Sequence, residues 1–224
     1  MNNKIIEFNL SIKNKTFTNM TIKDFINTTS LGTPTPGGGS ISALCGSLSM
    51  ALASMVTNLT FQKKGYESNH KQLNQIGKLF QNYKDRMLEL IDLDSESYDK
   101  VIDAIRLPKK TDSDIRKRNT SINNATISAT NIPLEILELS IKAMKQLIKI
   151  ATIGNPNSIS DIGVALHAIH TCAKGASMNV TINAKELNDT LKNKYLDQVD
   201  YYNKEADDLF VKIQAIVESK LKQL

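Results

Sequence analysis

The chain has 224 residues, a formal net charge of +5, 41% apolar residues and only 5% aromatic residues, with no Trp. That length is enough for one sizeable core, while the mild charge and sparse rings argue against a nucleic-acid face, which needs concentrated cations and stacking aromatics. Its two cysteines, Cys45 and Cys172, stand outside any CxxC spacing, so neither a disulfide framework nor a zinc knuckle is indicated, and a reducing, cytoplasmic setting fits.

Residues 1–19 read as an N-terminal extension without a signal peptide's basic start and apolar run; Lys4 to Ile12 alternates weakly, as an edge strand or an arm does. Residues 20–224 read as one helical domain. Thr21 to Thr29 carries Ile22, Phe25 and Ile26 at helical spacing. Thr33 to Ser40 (TPTPGGGS) follows. Its prolines disfavour helix just before them, and its glycines allow a turn without side chains. A helix is expected from Gly39 or Ser40 to Phe61. Ile41 to Phe61 holds 21 residues without a charge, long enough for a membrane span, but seven are Ser, Thr or Asn, which favours a buried helix over a membrane partner. Its many small residues suit a central position with close neighbours.

Gln62 to Gly65 breaks that helix. From Glu67 to Arg106 apolar residues step by three or four, and Pro108 marks the end. The next helix is expected near Asp112, and Pro133 is expected to start another, running over Leu134 to Ile150. Gly154 to Asn157 reads as a turn. Ser158 or Ser160 is expected to cap a second small-residue helix reaching Ile182, Asn183 to Asp189 reads as a turn or a helix start, and Tyr195 to Leu221 closes the chain as an amphipathic helix. The expected fold is all-α: a single-domain helical bundle of six or seven helices, with the slim helices near 40–61 and 160–182 antiparallel at its centre. Slim faces of this kind pack well against a copy of themselves, so a homodimer is expected.

One residue departs from its own pattern. Asp94 falls in the apolar stripe between Leu90 or Ile91 and Tyr98, whereas Asp92 is about 200° around the helix, on an acidic stripe assigned to solvent. A buried carboxylate without a cation has a raised pKa and can act as a general acid, or it can be a core Asp satisfied by backbone or by a buried Lys. His167 and His170, three apart and followed by Cys172, lack an acidic ligand at matching spacing, so no metal site is assigned. GxSxG is absent around Ser40, and the glycines lack a P-loop lysine.

Several short motifs occur in order: Pro36-Gly37-Gly38-Gly39-Ser40; Met55-Val56, Leu59-Thr60 and Lys63-Lys64; Leu90 to Tyr98 with its Asp92-Leu93-Asp94 centre; Arg106-Leu107-Pro108-Lys109; Gly154-Asn155 with Ser160-Asp161; and Gly175-Ala176, Asn179-Val180 and Asn183. Together they resemble the cyclodeaminase/cyclohydrolase family, the C-terminal domain of formiminotransferase-cyclodeaminase and its stand-alone relatives. Gln62 replaces a glycine usual there, Ser177-Met178 departs in detail, and residues 1–19 are not covered.

The resemblance implies an all-helical, homo-oligomeric enzyme with no cofactor, acting on a tetrahydrofolate. It implies formiminotetrahydrofolate cyclodeaminase, forming 5,10-methenyltetrahydrofolate and ammonia, or alternatively methenyltetrahydrofolate cyclohydrolase; a non-catalytic helical interaction or nucleic-acid-binding protein is a remote alternative. It places an essential aspartate in the Asp-Leu-Asp segment, which the stripe identifies as Asp94. Gly37, Gly38, Gly39 and Ser40 would give close backbone approach to the substrate. Lys63, Lys64, Arg106 and Lys109 would attract the glutamate tail, or are ordinary solvated residues. Asp161 would bind the pterin amine or cap its helix. Asn155, Asn179 and Asn183 would offer amide hydrogen bonds, or satisfy buried helix ends.

Overall fold

A computed structural model describes residues 16–223. Six α-helices carry the fold, and there is no strand among the described residues: α1 (Ile22–Thr29), α2 (Gly38–Gln62), α3 (His70–Ile105), α4 (Asp112–Ile153), α5 (Ile159–Ala184) and α6 (Asp189–Leu221). The expected strand or arm at Lys4 to Ile12 lies outside the described residues.

Local chemistry explains most boundaries. Thr21 caps α1, accepting from the Asp24 amide. Thr111 and Asp114 form a reciprocal capping box at the start of α4. Gly65, at φ +94°, supplies the left-handed residue after α2. Asn155 turns the chain between α4 and α5 by accepting from the Asn157 amide.

Three expectations are corrected. Pro133 does not start a helix; it lies inside α4, which runs unbroken for 42 residues. Proline cannot donate to the carbonyl four residues back. Here that carbonyl belongs to Ala129, and it accepts instead from the Asn183 Nδ2 on α5, at 2.8 Å. The kink signal in the sequence is cancelled by a partner some fifty positions later. α6 begins at Asp189, not Tyr195, because Asn188 accepts from the Leu191 amide and caps a first turn that has little apolar periodicity. Ser158 precedes α5 but makes no side-chain cap.

The centre is as expected. α2 and α5 run antiparallel: Ser49 Oγ donates to the Ala165 carbonyl at 2.7 Å, and a Cβ on Gly46 would press on the Cys172 sulfur. A Cβ on Gly175 would overlap the Ser42 hydroxyl, so the small residues set the spacing. α3 packs antiparallel to α2 on its other side, burying Leu73, Ile76, Phe80, Met87 and Leu90. α4 lies behind, touching α2, α3, α5 and α6. α2 is long and apolar enough to cross a membrane, yet 61% of its most apolar window is buried within this bundle.

Residues 17–19 form a short 3₁₀ turn held by Asp92. The Phe17 amide and the Thr18 hydroxyl each donate to its carboxylate at 2.6 Å. Asp92 is therefore half-buried and engaged, not part of a solvent stripe. The stripe around it, Glu89, Glu96, Asp99 and Asp103, is exposed.

Candidate active site

At the end of the bundle where α2 begins, a cleft of about 290 Å³ opens between the glycine turn, α3, α4 and α5. Its floor is the N-terminus of α2. Gly37 is the N-cap and offers no side chain, so the first-turn amides face the cleft without a capping group. The preceding Thr35–Pro36 peptide is cis.

Asp94 forms the wall of this floor. A Cβ on Gly39 would overlap the Asp94 carboxylate, so only glycine permits this approach. Ser40, fully buried behind the floor, has its hydroxyl 2.9 Å from Asp94 Oδ2, 3.1 Å from the Ile91 carbonyl and 3.2 Å from the Ser95 hydroxyl. One hydroxyl proton cannot serve all three. When Asp94 is ionised, Ser40 donates to it and can accept from Ser95. When Asp94 is protonated, Ser40 can accept from it and donate to Ile91. The site thus tolerates either charge state without leaving a hydroxyl unpaired.

Burial pushes the Asp94 carboxyl above the usual carboxylate range, and it outweighs the opposing hydrogen bonds from the Ser40 hydroxyl and amide. No cation lines the cleft; the other carboxylate there is Glu186. The arrangement suits an acid that can give and retake a proton at a helix N-terminus.

Of the sequence-predicted residues, Gly37, Gly38, Gly39, Asp94, Asn179 and Asn183 line the cleft, and Ser40 supports it from behind. Asn179 donates to the Gly175 carbonyl at 2.8 Å, and a Cβ on Gly38 would press on its amide. Asn183 has its amide nitrogen tied to Ala129 and so fills the structural role weighed for it, while its residue still borders the cleft. Arg106 and Lys109 follow α3 at this end but do not line the cleft; Arg106 is 3.7 Å from Asp103 and exposed.

Lys63, Lys64, Asn155 and Asp161 are not brought here. They sit at the opposite end, where Lys63 donates to Asn155 Oδ1 at 2.7 Å and Asp161 occupies the first turn of α5. The length of α2 puts Lys63 about 36 Å from Gly39. His170 and Lys174 both bind Asp207 on the α5–α6 surface, at 2.8 and 2.7 Å, away from the cleft.

Residues not singled out from sequence complete the cleft: Ser97, Tyr98 and Val101 on α3, Thr126 and Ala129 on α4, and Ile182 and Glu186 near the end of α5. Tyr98 and Val101 continue the apolar stripe beyond Asp94, so their spacing carried a signal. Thr126 and Ala129 carried none, because their position depends on α4 running straight through Pro133.

Comparison with known proteins bears on the same residues. The family model described as formiminotransferase-cyclodeaminase matches residues 21–200. A methenyltetrahydrofolate cyclohydrolase of Methylorubrum extorquens is 34% identical over 204 residues, covering 91% of this chain and 98% of that protein. A formimidoyltransferase-cyclodeaminase of Mus musculus is 29% identical over 168 residues, 75% of this chain; the match spans 31% of that longer protein. The crystal structure of a formiminotetrahydrofolate cyclodeaminase from Thermotoga maritima superposes with a TM-score of 0.81 at 25% identity, covering 91% of this chain and 98% of that one. With its glycine-floored cleft inside the matched span, the chain belongs to the formiminotransferase-cyclodeaminase family.

Proposed function

We propose that the cleft carries out acid-assisted chemistry on the one-carbon unit of a tetrahydrofolate, and that the reaction is the formiminotetrahydrofolate cyclodeaminase step. The observation that carries this reading is Asp94: a carboxyl with raised pKa, backed by a hydroxyl that adapts to both charge states, at a helix N-terminus whose N-cap, Gly37, has no side chain. In this reaction N10 attacks the formimino carbon, and the C=N π pair moves to the terminal nitrogen. N10 must lose a proton, and the departing nitrogen must gain two. Asp94 enters protonated and gives its proton to the formimino nitrogen as N10 attacks; it then takes the N10 proton and passes it to the resulting amine, so that ammonia leaves with its bonding pair and the carboxylate regains one proton from solvent. The methenyl product is cationic, and two cleft carboxylates with no lining cation suit it. No step needs a metal, a cofactor or a protein nucleophile.

A second reading is the cyclohydrolase reaction, favoured by the 34% identity to the Methylorubrum protein over nearly its whole length. There water adds to the methenyl carbon, loses a proton, and the C–N5 bond breaks as N5 is protonated, leaving 10-formyltetrahydrofolate and one released proton. Asp94 would serve the same transfers. Pure protein assayed separately on 5-formiminotetrahydrofolate and on 5,10-methenyltetrahydrofolate decides between them. Ammonia with methenyl formation supports the first reading, methenyl consumption alone supports the second, and inertness toward both overturns the folate assignment.

A further inference from the structure

The cleft continues outward past the first turn of α2, between α3 and α5. At that turn its two sides stand level: a Cβ on Gly39 would overlap the Asp94 carboxylate, and a Cβ on Gly38 would come within 3.2 Å of the Asn179 amide nitrogen. From this level α5 presents Asn179, Ile182, Asn183 and Glu186 to the cleft, spaced by three or four residues and so on one side of the helix. The last step is a tight turn in which the Glu186 amide donates to the Asn183 carbonyl at 3.2 Å. The rise from Asn179 carries Glu186 about 10 Å out along the axis. α3 presents Ser97, Tyr98 and Val101 over the same stretch.

The walls of this outer part are chemically sorted. Tyr98 and Val101 on α3 and Ile182 on α5 give apolar flanks to a flat ring. Asn179 and Asn183 each spend an amide proton on a backbone carbonyl at 2.8 Å, which fixes them in place. Glu186 is exposed at the rim, and its carboxylate has no hydrogen-bond or ion-pair partner among the described residues. Its neighbour Lys185 lines a separate hollow with Met178 and Asn203, and no cation lines the cleft itself. An ionised carboxylate can only accept hydrogen bonds. The outer end of the cleft therefore suits a ligand edge that carries donors and no negative charge.

We propose that Glu186 is the residue that reads the pterin edge of the substrate and so sets the depth at which the ring lies. A reduced pterin carries the N3–H and one 2-amino N–H side by side, and a carboxylate can accept them as two parallel hydrogen bonds. The glutamate tail of the same molecule carries carboxylates, which Glu186 repels, so the ring and not the tail faces this residue. From N5 to the 2-amino nitrogen the ring spans about 6 Å, and the hydrogen bond at its far edge adds about 3 Å. That sum matches the rise of about 10 Å from the level of Asp94 to Glu186. With the edge on Glu186, the one-carbon unit on N5 falls beside Asp94. Asp161, the other carboxylate weighed for this edge, lies at the opposite end of the bundle. The inference rests on the tetrahydrofolate reading above and adds the contact that orients the ring.

The test crosses the residue with the ligand atom it reads. The probes are 5-formyltetrahydrofolate, which keeps the ring and a one-carbon unit on N5, and its 2-desamino analogue, which has hydrogen in place of the amino group. Each is titrated calorimetrically into wild type and Glu186→Gln, full-length and matched in melting temperature. The substitution keeps the shape but sets an amide donor against the donors of the ring. Wild type should bind the parent about 10- to 100-fold more tightly than the analogue, the loss expected for hydrogen bonds to a charged group. Glu186→Gln should weaken the parent by a similar factor and lose most of the preference, so that the two losses do not add. A wild type that binds both probes equally, or a Glu186→Gln variant that keeps the wild-type preference, overturns this role of Glu186 and leaves the folate reading standing. A wild type that binds neither probe and turns over neither folate named above overturns both.

Discussion

The two ends of α2 are built in opposite ways. Its first turn has no side-chain cap from Gly37, contains two glycines, and is pressed against a half-buried acid whose carboxyl fills the space a side chain would occupy. Its last turn closes against ordinary partners: Thr60 accepts from the Asn155 amide at 3.0 Å, and Lys63 reaches Asn155. One end turns its backbone donors toward a cleft and a carboxyl; the other spends its polar groups on a turn and keeps its charge at the surface. The contrast teaches that sequence motifs at both ends of one helix need not meet in one chain, and that chemistry belongs to the end where polar groups are left available.

That contrast can be broken by substitution. The largest effect is expected for Asp94→Asn, which keeps the shape but removes the transferable proton. Activity should fall about 10³-fold, within the range general acids contribute. The folded state favours neutral Asp94, so its contribution to stability is complete below the ordinary carboxylate range and declines as pH rises through the raised value. The variant should therefore melt no lower than wild type near pH 8, which calorimetry checks. Next comes Gly39→Ala, whose methyl must displace the Asp94 carboxylate. A loss of about 10²-fold in kcat is expected for a misplaced catalytic group, while the control Gly32→Ala, with open space around it, should be silent.

Ser40→Ala should act more mildly. It removes the side-chain hydrogen bond that favours ionised Asp94, so the carboxyl should titrate at still higher pH, readable in the pH dependence of kcat. The smallest effect on activity is expected at Asn183. Asn183→Ala leaves the Ala129 carbonyl without its donor and should cost about 1–3 kcal/mol of stability by chemical denaturation. In a Pro133→Ala background the restored backbone amide can serve that carbonyl, so the cost should shrink; an unchanged cost would remove Asn183 from this role.

Much of this was legible in the chain. Three glycines after two prolines announced the start of α2, and an acid in an apolar stripe announced Asp94, because both break a local rule that only a local function compensates. The long periodic run of α3 was readable for the same reason: its apolar spacing is dictated within one element. What stayed hidden depends on distant partners. Nothing near Pro133 shows that Asn183 will supply the missing donor. Nothing near Asp92 shows that Phe17 and Thr18 will bind it. Lys63, Lys64, Asn155 and Asp161 were grouped with the glycines by motif, yet the rise of a straight helix holds them apart within one chain.

The central claim is that Asp94 is the proton donor and that burial sets its pKa. The pH dependence of kcat in wild type and Asp94→Asn, on whichever folate the protein turns over, tests it most directly. Wild-type kcat should fall as pH rises through a single ionisation above the ordinary carboxylate range, and that limb should be missing from the residual activity of Asp94→Asn. The same limb in both proteins would contradict it.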